Sequence, residues 1–474
     1  MRRIGFPLAV LLMTACFLTS CLGDNDDDSI TLSSDAGITS FTLGTLNMYL
    51  HTTSSKGTDS IYKANLQGSS FGMYIDQERR LIYNVDSLPL ETDVKHVLCA
   101  ITSKGSGRIA WKSMTSDSLT SHTAADSIDF TNPRELRAYA ADGSQYRTYT
   151  VTLNVHTERA DGFNWKEKAS SSVLSNLEGM KAVACNGNVF VLGKVSGNTV
   201  VYTTTEQDGS NWRLATPNFN TPIPEEAYKS AVVKGDSLYL LVGSMVMRTA
   251  DGDNWVQTGT TDAVQLVGAS STELYALAAD GNLMLSKDNG ASWETESLDD
   301  AVTLLPTEDI TCAMLPVTTN AGTERMILAG NRSLAAFADD ANAIIWGKVV
   351  ESEKAVSGQW MYYDNTSATE RLPRMKGLAI WAYGTELLAV GGEGFGQSAE
   401  KAFSRFFVSK NGGVSWAEET RFKLPEAFDT STETFAVATD SKCYIWLVCG
   451  KTGQVWKGRL NRMGWTKTQT SVTQ

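Results

Sequence analysis

The chain has 474 residues, with 41 Lys and Arg against 53 Asp and Glu and a formal net charge of −12. That length holds two or three domains with sizeable cores. The acidic balance, with no basic patch along the chain, argues against nucleic acid as a partner. Short apolar runs alternate with turns rich in Gly, Asn, Asp and Ser, and Pro is rare at 10 residues. This is the pattern of an all-β protein.

Arg2-Arg3 precede an apolar run from Ile4 to Leu18. The run is too short to span a bilayer and no stop-transfer pattern follows, so residues 1–21 read as an export signal. It ends in Leu18-Thr19-Ser20-Cys21, which resembles a bacterial lipobox, whose cysteine becomes the lipidated first residue of the mature chain. Met13-Thr14-Ala15-Cys16 is a rival box. Cys21 is preferred because the whole apolar run then lies upstream and the acidic stretch Leu22 to Asp28 follows directly. An acidic segment at that place resembles the surface-export signal of Bacteroidetes-type lipoproteins. The resemblance implies an outer-membrane protein, lipid-anchored and facing the cell exterior, with residues 22–34 as a polar tether.

The remaining cysteines are Cys99, Cys185, Cys312, Cys443 and Cys449. Their number is odd, so a complete disulfide framework is excluded. Cys443 and Cys449 stand six residues apart in one expected strand, roughly 20 Å, too far to bridge. No C-x-x-C pair occurs, so no cysteine zinc site is expected, and the thiols read as buried and free.

Residues 35–158 read as a small β domain. Arg134 to Ala140 forms a short strand with Leu136, Ala138 and Ala140 on one face, Ala141-Asp142-Gly143-Ser144 is a hairpin turn, and Tyr149 to Val155 alternates apolar and polar. A ribbon with one apolar face needs a second layer to pack on. The string from Asp129-Phe130-Thr131-Asn132-Pro133 to Val155 resembles the Ig-like domains near the N-termini of many Bacteroidetes surface lipoproteins, which usually act as spacers. All four histidines (His51, His96, His122 and His156) fall at or before residue 156, and their spacing fits no ligand pattern.

From residue 159 to 474 one local pattern recurs. Ser286-Lys287-Asp288-Asn289-Gly290-Ala291-Ser292-Trp293 is its fullest copy, and Ser409 to Trp416 repeats it with Asn411 for the aspartate and Gly413 for the glycine. Asp161 to Trp165, Asp208 to Trp212 and Asp251 to Trp255 are a shorter form, D-G-x-N-W. The carboxylate accepts backbone N–H bonds inside a tight turn, the glycine supplies positive φ, and the indole starts the next strand. Between turns the chain repeats short strands. In one repeat these are Ala231 to Val233, Ser237 to Gly243, Met245 to Arg248 and Trp255 to Gln257. Runs apolar on both faces, such as Val189 to Gly193, Leu274 to Leu277, Met326 to Gly330, Leu387 to Gly391 and Tyr444 to Val448, read as inner strands covered on both sides.

Trp165, Trp212, Trp255, Trp293, Trp360, Trp416 and Trp465 follow one another at 38 to 67 residues. Four strands per 40–50 residues is a propeller period. Seven tryptophans bound six intervals, so six blades are favoured. Seven stays open, because the Trp165 strand could complete a blade with the C-terminal stretch. The fold class is therefore all-β, an Ig-like sandwich before a β-propeller.

The motif Ser-x-Asp-x-Gly-x-Ser-Trp resembles the Asp-box of sialidases and related propellers, fully at 286–293 and in part elsewhere. The resemblance implies a turn between third and fourth strands at the outer rim, away from the axial funnel. A sialidase would also need an arginine cluster and an F/Y-R-I-P signature. The latter is absent, and Arg371-Leu372-Pro373-Arg374 does not supply it. No G-x-S-x-G, H-E-x-x-H, P-loop or dinucleotide fingerprint occurs, so no catalytic residue, metal or cofactor is expected. Asp299-Asp300, Glu308-Asp309 and Asp339-Asp340 are the carboxylate pairs that a glycosidase could use.

On the face opposite the tryptophan turns the longest loops span 297–309, 331–341, 364–375 and 391–402. Long loops on a rigid scaffold are where binding residues usually lie. Tyr362, Tyr363, Arg371, Arg374, Glu393 and Glu400 are the candidate ligand residues there. The expected function is a lipid-anchored surface protein whose propeller binds a glycan or a partner protein. The alternatives are a degenerate glycoside hydrolase or lyase using funnel carboxylates, and a scaffold subunit of an outer-membrane uptake complex.

Overall fold

A computed structural model describes residues 31–53, 56–353, 358–364 and 370–465. Cys16, Cys21 and residues 22–30 of the tether lie outside the described residues. The chain divides after His156 into two compact units.

The N-terminal unit is built on a six-stranded sheet in the order Met73–Asp76, Leu81–Asn84, Tyr146–Thr152, Arg134–Tyr139, Ile109–Lys112, Leu119–Ser121. The ribbon expected from its alternation is present, with Tyr149 opposite Leu136. Its second strand begins at Tyr146 rather than Tyr149, because the hairpin pairs Tyr146 with Tyr139 directly after the turn. On the other side Tyr146–Thr152 runs parallel to Leu81–Asn84. The apolar face of Leu136, Ala138, Tyr149 and Val151 packs on Ile38, Phe41, Leu43 and Cys99. These belong to a two-stranded sheet of Ile38–Leu43 and Cys99–Ser103, which is the second layer that the ribbon requires. The histidines hold separate partners: His51 pairs with Asp59, His96 with Asp93, and His122 accepts from the Trp111 indole.

The C-terminal unit contains six four-stranded antiparallel sheets among the described residues. Their innermost strands are Met180–Cys185, Val232–Lys234, Ala263–Ala269, Glu308–Pro316, Ala379–Tyr383 and Phe435–Thr439. Each touches the next, and the sixth touches the first, so the sheets close a ring around an axis. This is a β-propeller. We number the sheets one to six in this order.

The apolar runs of the sequence are the second strands, not the innermost ones. Val189–Leu192, Leu238–Val242, Met326–Ala329, Leu387–Val390 and Ile445–Cys449 are buried at every position. A second strand has a hydrogen-bonded neighbour on each edge and a packed sheet on each face, so no position reaches water. The innermost strand has only one paired edge.

Four tryptophan turns share one bonding plan. The backbone N–H of Gly209, Gly252, Gly290 and Gly413 donates to the hydroxyl of Thr204, Thr249, Ser286 and Ser409 respectively. The indoles of Trp212, Trp255, Trp293 and Trp416 donate to the carbonyl oxygens of the same four glycines. Asp208, Asp251 and Asp288 accept backbone N–H bonds across the turn, and Asn411 does the same through its amide oxygen. All four glycines have φ between +75° and +92°, and each is pressed against the preceding sheet. A Cβ on Gly209 would meet Trp446 at 2.5 Å, on Gly252 Phe190 at 3.2 Å, on Gly290 Val246 at 2.8 Å and on Gly413 Ile327 at 3.1 Å. The turn thus joins two strands of one sheet and seats that sheet on its neighbour.

The copy at Asp161 to Trp165 departs from this plan. No strand of its own sheet precedes it in the chain. Phe163–Glu167 is instead the outermost strand of sheet six, paired with Val455–Leu460 from the end of the unit. Asp161 pairs with Arg462 at 2.9 Å, and the Trp165 indole donates to the Lys423 carbonyl oxygen at 2.7 Å. Trp360 also departs. It is buried edge-on against Tyr275 of sheet three, 5.2 Å between centroids. Trp465 follows a short 3₁₀ turn, Asn461–Gly464.

Buried charge is neutralised within the wall of the ring. Lys348 of sheet four is enclosed and lies 3.0 Å from Glu273 and 2.6 Å from Glu296, both of the sheet-three repeat. Lys457 of sheet six is 3.2 Å from Asp440.

Candidate functional site: the mouth of the axial channel

All six innermost strands line one axial channel of about 1380 Å³. Each strand pairs on one edge with its second strand, so the N–H and C=O groups of the other edge face the axis. A few of these are used between sheets. Thr311 Oγ1 bridges the Ile380 N–H and carbonyl, at 3.1 and 3.3 Å, and Ser230 Oγ accepts from the Leu266 N–H. The wall is therefore polar despite its small apolar side chains.

Charged side chains collect where the innermost strands begin, on the face away from the tryptophan turns. Glu178, Lys181, Lys229, Glu308, Asp309, Lys376, Glu393, Glu400, Lys401 and Glu433 line this mouth. Lys229 closes the short turn Ala227–Ser230 and pairs with Glu226 at 2.7 Å. Its carbonyl oxygen is shared by two neighbouring sheets, accepting from Lys181 Nζ at 3.0 Å and Gln265 Nε2 at 3.4 Å. Lys181 is half-buried on the channel wall, and desolvation inside the ring lowers its pKa to about 8. Burial in turn pushes Cys312 up to about 12.

Asp309 is held in an uncommon state. Its φ is +49°, at a register shift between Glu308 and Thr311. Positive φ at a non-glycine residue is strained, and a bulge redirects a side chain. The residue is half-buried, and desolvation raises its pKa against the opposing hydrogen bond from Asn331 Nδ2 at 2.8 Å.

The residues expected to form the ligand face separate into two groups. Glu393 and Glu400 line the mouth. Glu393 is exposed and 3.6 Å from Lys376. Glu400 is committed to Arg405 at 2.8 Å and to Ser404. Burial would raise its pKa, but the bonds from Arg405 and Ser404 outweigh that and lower it.

The others do not line the channel. Tyr362 packs on Trp346 at 5.4 Å, and its N–H donates to Asp299. Tyr363 packs over Gly347 and joins the core between sheets four and five. Arg371 is partly buried and lies beside the undescribed 365–369 stretch. Arg374 needs correcting outright. It is 0 % exposed, donates to the carbonyl oxygens of Phe337, at 2.8 Å, and of Arg332, and stacks on Phe395 at 4.3 Å. It braces the 331–341 and 391–402 loops from within, because a guanidinium with several carbonyl partners is better satisfied there than in water.

Two of the three carboxylate pairs are likewise occupied in structure. Asp299 caps the Tyr362 N–H, and Asp340 pairs with Arg332 at 2.7 Å. Among the described residues no group of three or more His, Cys, Asp or Glu is placed to hold a metal.

Sequence reasoning singled out Glu308-Asp309 but passed over Lys181, Lys229 and Gln265. The one signal for Lys181 was a lysine inside an apolar innermost strand, between Met180 and Ala182.

Residues 159–468 match the model of the DUF6242 beta propeller domain, and residues 41–153 that of the DUF6242 N-terminal domain. None of the curated proteins compared with the chain matches it in sequence. Solved structures similar to it include the SapL1 lectin in complex with alpha methyl fucoside, at 12% identity and a TM-score of 0.36, covering 59% of this chain and 91% of that one. YCF48 bound to D1 peptide aligns at 10% identity and 0.32, covering 63% and 95%. A protein of unknown function from Bacteroides thetaiotaomicron aligns at 9% identity and 0.39, covering 77% and 94%.

Proposed function

The chain belongs to the DUF6242 family, and from that premise we propose that it is a binding protein whose propeller receives a glycan or a partner protein at the channel mouth. One observation carries this reading. Charged side chains and open strand edges converge on the mouth, while ionic groups in the wall, such as Lys348 with Glu273, are paired internally. Open hydrogen-bonding edges around a concave entrance are suited to a ligand rich in donors and acceptors. With lipidation at Cys21 the protein sits at the outer surface of the outer membrane, and the N-terminal unit serves as an Ig-like spacer.

A glycan array probed with the full-length chain, run beside a hydrolysis assay on the same glycans, tests the site. The expected result is retention of one glycan class without cleavage, lost when Glu393→Arg and Lys376→Glu are combined. If the array stays blank, pull-down of a single partner protein with the same dependence on Glu393 and Lys376 supports the protein form. Failure of both overturns the reading. Anchoring is tested separately, since Cys21→Ala should move the protein from the membrane to the soluble fraction.

One observation favours a second reading, a glycoside hydrolase acting through funnel carboxylates. Asp309 is strained, half-buried and held above its usual pKa at the mouth, as a general acid would be. New reducing ends in the hydrolysis assay, abolished by Asp309→Asn, would favour it.

A further inference from the structure

Two lysines packed within this ring come with carboxylates. Lys348 has Glu273 and Glu296, and Lys457 has Asp440. Lys181, half-buried on the channel wall, does not. Its Nζ donates one hydrogen bond, to the Lys229 carbonyl oxygen, and among the described residues no Asp or Glu forms an ion pair with it. An ammonium has three donors, so two remain for whatever occupies the channel.

No carboxylate is bonded to Lys181, although Glu178, Glu308 and Glu433 line the same mouth. Cys312, which shares the wall, is a half-buried thiol held in its neutral form. Asp309 acts electrostatically on Lys229 and is bonded to Asn331. Lys229 already has Glu226, and Lys376 has Glu393. A half-buried cation with donors to spare is completed by an entering anion. The rest of the wall offers neutral donors and acceptors, chiefly strand edges and the Gln265 amide. At about 1380 Å³ the channel is larger than the roughly 300–1,000 Å³ of ordinary small-ligand pockets. Six close-set strands leave no passage for a folded domain.

We propose that Lys181 is the docking point for the carboxylate of a small, hydroxyl-rich acid of the uronic-acid class, which enters through the mouth. This rests on the mouth being the binding face and names the chemistry of what binds there.

Calorimetry on the full-length chain tests it with trigalacturonate and its neutral methyl ester, on the wild type and on Lys181→Met, with melting curves to verify folding. The acid should bind at least tenfold tighter than the ester, and Lys181→Met should erase that difference. Equal affinities, or a preference that survives Lys181→Met, would overturn the proposal.

A second readout does not depend on the oligosaccharide. With ¹³C-labelled lysine side chains, saturating sodium glucuronate should raise the Lys181 titration midpoint by about one unit, the equivalent of a tenfold preference for the charged form. An unmoved midpoint counts against it. If neutral glycans bind, and Glu393→Arg abolishes that binding while Lys181→Met changes nothing, the carboxylate assignment fails and the binding face stands. If a triaspartate peptide binds through Lys181 and trigalacturonate does not, the sugar assignment fails.

Discussion

Lys348 Nζ and the Glu273 carboxylate meet 3.0 Å apart across the boundary between sheets four and three, with side chains 0 % and 2 % exposed. Glu296 closes the group from the other side, and the Tyr275 hydroxyl donates to Glu273. Lys348→Met removes the cation and leaves two buried carboxylates facing each other. The expected loss is about 3–5 kcal/mol in urea unfolding, the usual effect of breaking a buried pair from one side. The double variant Lys348→Met, Glu273→Gln should lose less than the sum of its singles, since the second change relieves what the first leaves unpaired.

The two eight-residue turns form an internal comparison. Asp288 and Asn411 occupy the same place, each accepting from a serine N–H four residues on. Hydrogen bonds from Ser292 and Ser286 hold the Asp288 carboxyl down at about 2. A depressed carboxylate stabilises the fold fully above its unfolded pKa near 3.8 and loses that contribution as pH falls toward 2. Asp288→Asn should therefore cost little at neutral pH, well under 1 kcal/mol, because Asn411 already closes such a turn. It should also flatten the acid limb of the stability profile. Asp288→Ala removes the acceptor as well and should cost about 1 kcal/mol.

Gly290→Ala should cost more than either change at position 288. The residue holds φ +92°, and its Cβ would press on Val246 of sheet two at 2.8 Å. Strain of this kind costs on the order of 1–3 kcal/mol. Loss of the midpoint without change in the denaturant slope would identify it as a native-state effect.

Lys181 fixes the sign of a pH dependence. Its folded pKa, about 8, lies below the ordinary 10.5. Below pH 8 both states carry the charge, and the native state bears the full cost of burying it. Between pH 8 and 10.5 the native state releases its proton first, so stability rises with pH. Lys181→Met should thus be more stable than wild type at pH 7, by about 1 kcal/mol, less than the whole shift because the half-buried ammonium keeps part of its hydration. That advantage should shrink to nothing by pH 10.5, as read from paired unfolding curves without ligand.

Arg374→Ala would leave the carbonyl oxygens of Phe337 and Arg332 buried without their donor. Proteolysis should then cut within 331–341 or 391–402 before it cuts elsewhere, while the wild type resists there. Each orphaned carbonyl should cost about 1–3 kcal/mol.

These residues mark what could be read from the letters alone. The turns at Trp212, Trp255, Trp293 and Trp416 were legible because a hydroxyl, an acceptor, a glycine and an indole complete their bonds within nine residues. Trp165 and Trp360 carry the same letter and do different work, since their partners, Lys423 and Tyr275, come from distant parts of the chain. Arg374 and Glu400 read as free loop charges because sequence does not reveal that a loop folds back over its own arginine. The channel itself was invisible. Met180-Lys181-Ala182 is ordinary strand alternation until five other strands arrive to surround it.

The pairing of Phe163–Glu167 with Val455–Leu460 has a temporal meaning for synthesis. A chain delivered from its N-terminus presents the first of these strands almost three hundred residues before its partner arrives. That early segment must wait, with Phe163 and Trp165 uncovered, until Leu460 has followed it. Contacts of such long sequence separation slow the final step of folding, and the interval of waiting is when a chaperone would find the most to hold.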